Sequence, residues 1–122
     1  MKKDDDDKDS QDRIEIVREA KLLKGIIKVS VRHGDILDER CDAIVNPSNQ
    51  IMQHTEGLSK LLAHEGGAII QQDSDVMLSK FFPSGMVPPG KCIRTTAGNL
   101  PFKHIIHTVG PIYADGGEQK IA

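Results

Sequence analysis

Apolar and polar positions alternate over residues 26–31, which puts Ile27, Val29 and Val31 on one side of an extended chain. The pattern predicts a strand that Gly34-Asp35 ends. Over residues 14–23 two patterns compete. Ile14 and Val17, with Lys21, keep helical spacing, whereas Ile14 and Ile16 keep strand spacing, and both stay open. Residues 42–46 are a short apolar run that predicts a strand buried on both faces. Pro47, having no N–H, is expected to end its ladder. Leu58, Leu61, Leu62, Glu65 and Ile69 follow helical spacing, and Gly66-Gly67 predicts a break, with the second helical piece running to about Lys80. Two Pro- and Gly-rich stretches at 82–85 and 88–90 mark a loop. Residues 91–96 and 104–109 then read as strands joined by a connection at 97–103. This order predicts an α/β layered domain with a mixed sheet.

A chain of 122 residues has room for one domain, and one of this size can bury roughly two-thirds of its unfolded surface. With three Phe, one Tyr and no Trp, its core must be built from Ile, Val and Leu. The formal net charge of −2 does not favour a polyanion partner, so direct nucleic-acid binding is not expected. No apolar run approaches the roughly 20 residues of a membrane span. Met1-Lys2-Lys3 leads into four aspartates rather than a signal sequence. Cys41 and Cys92 lack a Cys-x-x-Cys spacing and read as reduced, part-buried thiols of a cytoplasmic or nuclear protein. Residues 1–24 read as a charged tail and short lead-in, of which 1–12 are expected to be disordered; the domain proper occupies 25–122. Asp4-Asp5-Asp6-Asp7-Lys8 also matches a protease site used in expression tags, with a natural charged linker as the alternative.

Candidate chemistry concentrates at the strand ends. Asp35 follows a strand and can accept from an exocyclic amine or a ribose hydroxyl, although Gly-Asp is also an ordinary turn. Asn46 and Asn49 bracket Pro47-Ser48; their amides suit sugar hydroxyls, and a capped turn explains them equally well. Gly57 opens a helix, where a backbone without a Cβ can approach a phosphate. Glu56 beside it would oppose a diphosphate if it pointed inward. The five histidines show no metal-ligand spacing and read as packing or surface residues. Ser59 has no evident base partner, and no carboxylate pair stands out for acid–base work.

Together the motifs Gly34-Asp35-Ile36, Asp42-Ala43-Ile44-Val45-Asn46-Pro47-Ser48-Asn49 and Gly57-Leu58 resemble the macro domain, a module that binds ADP-ribose and its protein conjugates. Gly66-Gly67, Pro89-Gly90, Thr96-Ala97-Gly98-Asn99-Leu100-Pro101 and the run from His104 to Pro111 extend the resemblance. It implies a three-layer α/β fold with a mixed, largely parallel sheet. It also implies that Asp35 meets the adenine amino group, Ile36 makes a backbone contact, Asn49 faces the distal ribose, and the loop ending at Gly57 wraps the diphosphate. No cofactor or metal is implied; ADP-ribose is the ligand, free or on a modified protein. Family members that hydrolyse ADP-ribosyl bonds carry an Asp just inside the helix, where this chain has Ser59. The resemblance therefore implies a reader of the type found beside ADP-ribosyltransferase domains. An ADP-ribosyl hydrolase and a non-binding remnant or protein-interaction module are the competing expectations. The family domain continues with another helix, further strands and a second Gly-rich loop, so the C-terminal part of the fold is expected to be missing from these residues.

Overall fold

A computed structural model describes residues 13–111, which divide into two compact units, one ending at Arg40 and the other beginning at Cys41. The expected disorder of 1–12 and the polar ending after Tyr113 lie outside the described residues.

The first unit is a hairpin. Strand β1 (Glu15–Leu22) pairs antiparallel with β2 (Ile27–His33), with an irregularity between Ile16 and Arg18. The helical alternative over 14–23 is therefore lost: pairing with β2 supplies the ladder hydrogen bonds that a lone amphipathic spacing could not secure. The turn runs through Leu23, Lys24 and Gly25, all at positive φ, and position 25 falls inside it. Lys28 pairs with Glu19 across the strands, and Arg32 Nε meets Glu39 Oε1 at 2.8 Å. A single 3-10 turn, Ile36–Asp38, follows β2.

The second unit holds a three-stranded mixed sheet and two helices. β3 (Ala43–Ser48) lies parallel to β5 (His104–Val109), which lies antiparallel to β4 (Cys92–Thr96), in the order β3-β5-β4. The mixed character matches expectation. One of the two strand pairings in this sheet is parallel. Helices α1 (Gly57–Gly66) and α2 (Ile69–Phe81) are separated at Gly67, as the glycine pair predicts.

Two expectations about β3 are corrected. Ile44 and Asn46 are buried while Val45 is 56% exposed, so among the described residues β3 is covered on one face, not both. Pro47 does not end the strand; it stays in register opposite Thr108. Among the described residues β3 has a paired neighbour on one side only, the setting in which a strand carries a proline.

The buried face is drawn from alternate positions: Ile44 and Asn46 on β3, Ile105, His107 and Val109 on β5, Ile93 and Thr95 on β4. Ser59, Leu62 and Gly66 form the buried stripe of α1, and Ile70 and Ser74 that of α2. Met52 joins Val87, Ile93 and Val109 in an apolar cluster against which Met77, Leu78 and Phe82 pack. Its backbone sits at φ 54. That left-handed conformation costs about 1–2 kcal/mol, and complete burial of the thioether contributes about 1.5–3, so burial wins.

The end of α1 is held by a close approach. Gly66 O accepts from Asn99 N at 2.9 Å, and a Cβ on Gly98 (φ +58) would collide with that same Gly66 carbonyl. Gly98→Ala combines left-handed strain with backbone overlap and is expected to destabilise the chain by about 2–4 kcal/mol. Urea denaturation should show it as a lowered midpoint; an unchanged midpoint would mean that the 97–99 loop does not cap α1.

Candidate functional site

Each predicted ligand residue has a definite local setting. Asp35 caps the 3-10 turn, its Oδ1 accepting from Leu37 N at 2.9 Å, and its side chain is exposed. Ile36 opens that turn and is half-buried. Both belong to the first unit, whereas Asn49 and Gly57 belong to the second.

Asn49 lies just past β3, exposed, and clamps the following loop. Its Nδ2 donates to Gln53 O at 2.9 Å and its Oδ1 accepts from Gln53 N at 3.0 Å. An amide offers two N–H groups and two lone pairs. The clamp therefore uses half the capacity of Asn49. The same loop is tethered to α2, where Gln71 donates to Met52 O (2.8 Å) and accepts from His54 N (3.1 Å).

Gly57 is the first residue of α1, at φ +56, with nothing within 4 Å of where a Cβ would stand. Glu56 occupies the cap position without a side-chain cap bond, and no acidic residue lies in the first turn. Helix N-termini leave backbone N–H groups unpaired and carry a partial positive charge. Among the described residues no side chain supplies that cap, so the amino end of α1 presents N–H groups beside open space. That is a setting for an anionic group.

Behind this opening lies a buried polar network that sequence reasoning did not anticipate. Asn46, placed at the strand end as a candidate for sugar hydroxyls, is 0% exposed. Its Nδ2 donates to Ser59 Oγ at 2.8 Å and lies 3.0 Å from His107 Nδ1, its direct neighbour across the parallel pair. Ser59 Oγ donates to Pro47 O at 3.3 Å. His107 Nε2 lies 2.9 Å from Thr95 Oγ1, which donates to Thr96 O at 2.9 Å. His54 stacks on His107 with ring centroids 4.7 Å apart, and its Nε2 lies 2.9 Å from Ser74 Oγ, which donates to Ile70 O. His54 and His107 are thus held in a packed network, and no cluster of three or more metal-ligating side chains occurs among the described residues.

The hydroxyl donors assign both tautomers. Thr95 and Ser74 spend their single protons on carbonyls, so His107 and His54 each carry the proton on Nε2 and donate it. His107 Nδ1 is then an acceptor for Asn46. Asn46 Oδ1 and His54 Nδ1 find no donor among the described groups.

Elsewhere in this unit, a groove of about 310 Å³ is lined by Met77, Phe81, Cys92, Ile93 and Arg94, and none of the predicted ligand residues lines it. Cys41 and Cys92 are both exposed rather than part-buried.

Burial, with the neighbouring His54 adding to it, pushes His107 down to about 4. Burial also lowers His54, and the Asp75 carboxylate opposes that shift. His107 stays neutral in the folded chain down to about 4 but protonates near 6.5 once unfolded. The unfolded chain therefore binds more protons between those values. The stability this ring contributes is fully present above pH 6.5 and is lost as pH falls toward 4, by up to about 1.4 kcal/mol per pH unit, and the lowered His54 acts in the same direction. Urea midpoints measured from pH 7.5 to 4.5 should fall along that window. His107→Gln, less stable at pH 7.5, should show a shallower decline.

Comparison with known proteins identifies the family. Residues 45–122 match the Macro domain family. An uncharacterized protein of Saccharolobus solfataricus is 41% identical over 95 residues, covering 78% of this chain and 52% of that one. The human protein mono-ADP-ribosyltransferase PARP14 is 34% identical over 90 residues, covering 74% of this chain and 5% of its own length. The Oceanobacillus iheyensis macrodomain solved with ADP superposes with a TM-score of 0.74 at 25% identity, covering 84% of this chain and 52% of that one. A variant of the same macrodomain has been solved with ADPR, with a TM-score of 0.70 at 26% identity, covering 80% of this chain and 52% of that one. The chain spans about half the length of most of the curated relatives it matches, and less of the longest. It belongs to the Macro domain family.

Proposed function

We propose that this chain binds ADP-ribose, free or attached to a modified protein, and does not hydrolyse the ADP-ribosyl bond. The observation that carries the reading is the amino end of α1, where Gly57 adopts a left-handed conformation beside open space and no side chain caps the helix. A diphosphate fits such an end because N–H groups and the helix dipole both favour negative charge. The family membership and the ADP held by the Oceanobacillus relative support the same ligand class. Asn49, exposed and with amide capacity to spare, suits the distal ribose. The adenine contact of Asp35 and the backbone contact of Ile36 rest on the resemblance alone.

Ser59 argues for binding over hydrolysis. The residue is 7% exposed and its hydroxyl is shared between Asn46 and Pro47 O, so it is not placed to orient an attacking water. The likeness to a stretch of PARP14 supports a place within a larger protein of ADP-ribosylation signalling; a cytoplasmic or nuclear location rests on the sequence reading alone.

Calorimetric titration with ADP-ribose tests the reading. Binding should be saturable, and Gly57→Val should weaken it at least about tenfold, or about 1.4 kcal/mol, by straining the backbone and filling the space beside the N–H groups. Glu56→Gln should strengthen it about threefold, more at low salt, by removing an exposed negative charge near the phosphates. Asp35→Ala should weaken it if the adenine contact holds. No ADP-ribose should be released from a modified protein. Absence of binding heat, or indifference to Gly57→Val, would overturn the proposal.

A further inference from the structure

We infer that Asn46 is the positioning residue of the candidate phosphate site: from the floor of the sheet its amide holds the first turn of α1 through Ser59, and His107 and Thr95 fix which way that amide faces. The inference rests on the reading of α1 as the anion-binding end, and it deepens that reading by naming what sets the geometry of that end.

The argument is one of proton direction. Thr96 O accepts from Thr95, Thr95 accepts from His107 Nε2, and His107 Nδ1 accepts from Asn46 Nδ2. The second N–H of the same amide goes to Ser59, whose own proton goes to Pro47 O. Every hydroxyl and imidazole along this path has one direction available, and the path runs from β4 through β5 and β3 into α1. Reversing the amide would present Oδ1 to Ser59 and His107. Ser59 would then have to abandon Pro47 O, and His107 would have to move its proton to Nδ1. Thr95 would have to turn from Thr96 O to His107 Nε2. The reversed path keeps three of the five hydrogen bonds, so the observed direction is preferred.

Ser59 is the third residue of a helix whose cap residue makes no side-chain bond. The Asn46–Ser59 bond therefore does from beneath what a capping side chain would do from the end. It fixes the first turn and leaves the terminal N–H groups open. A side-chain cap would fix the turn equally well but would occupy those groups.

The groups facing this path from the surrounding elements are His54 on the loop before α1 and Ser74 and Asp75 on α2.

Two measurements on the full chain test the inference without a ligand. Imidazole ¹⁵N shifts at pH 7.5 should show His107 protonated on Nε2 with Nδ1 an acceptor; protonation on Nδ1 would overturn it. Amide hydrogen exchange should show Asn46→Leu, which removes donor and acceptor alike, costing at least tenfold in protection at Lys60 and Leu61. Amides of α2 and β5 should keep theirs. Ser59→Ala, a milder change, should act at the same two amides if Asn46→Leu does not fold. Unchanged or uniformly lowered protection in the variant that folds would overturn the positioning role. ADP-ribose titration then separates the two claims. If the wild-type chain binds, Asn46→Leu and Ser59→Ala should each weaken it at least about fivefold, and undiminished affinity in either would count against positioning. If the wild-type chain does not bind, the ligand reading fails, and the exchange pattern alone decides whether Asn46 holds the turn.

Discussion

The arrangement of the second unit depends on one buried amide. Asn46 sits on the covered face of β3, where an unpaired polar group costs about 1–3 kcal/mol; the bonds of its two N–H groups offset that cost, while its Oδ1 finds no donor among the described groups. Both of its N–H groups are used, one sideways to β5 and one upward to α1. Geometry this specific ties three strands and a helix to a single register. A leucine at the same place would pack without saying where the first turn of α1 must start. The partners of the amide are themselves directed by Thr95, so the constraint extends across the sheet.

That constraint shapes what the opening above it can do. The loop from Asn49 to Glu56 is pinned three times: by the Asn49 clamp on Gln53, by the hold of Gln71 on Met52 and His54, and by the burial of the Met52 side chain. A loop secured along its length delivers Gly57 to the start of α1 without a side chain across the helix end. Preorganised donors of this kind need no rearrangement to meet an anion, which lowers the ordering cost of binding. Ser59 belongs to this framework, its hydroxyl shared between Asn46 and Pro47 O.

Much of this was legible in the residues. The alternation at Ile44 and Asn46 and at Ile105, His107 and Val109 already placed the amide and the imidazole on the same side of their strands. The glycine pair at 66–67 marked the helix break, and the motifs around Asp35, Asn49 and Gly57 pointed to the family. Other features were not legible. Residues 14–23 carried both spacings, and only pairing with β2 settled them as strand. Pro47 read as a terminator because its missing N–H is visible in the sequence, while the one-sided pairing that tolerates it is not. Asn46 and Asn49 look alike as letters three positions apart, yet one is sealed under the helices and the other is exposed on a loop.

By itself, then, the sequence determined the local choices: where the chain can extend, where it must turn, which positions demand glycine, and which family its motifs match. These follow from backbone sterics and periodicity, which act over a few residues. Tertiary structure alone decided the pairing of Asn46 with His107 and of Ser59 with Asn46, because those partners lie 61 and 13 residues apart in the chain. It also decided the protonation state of His107, because desolvation is a property of the packed surroundings and not of the imidazole.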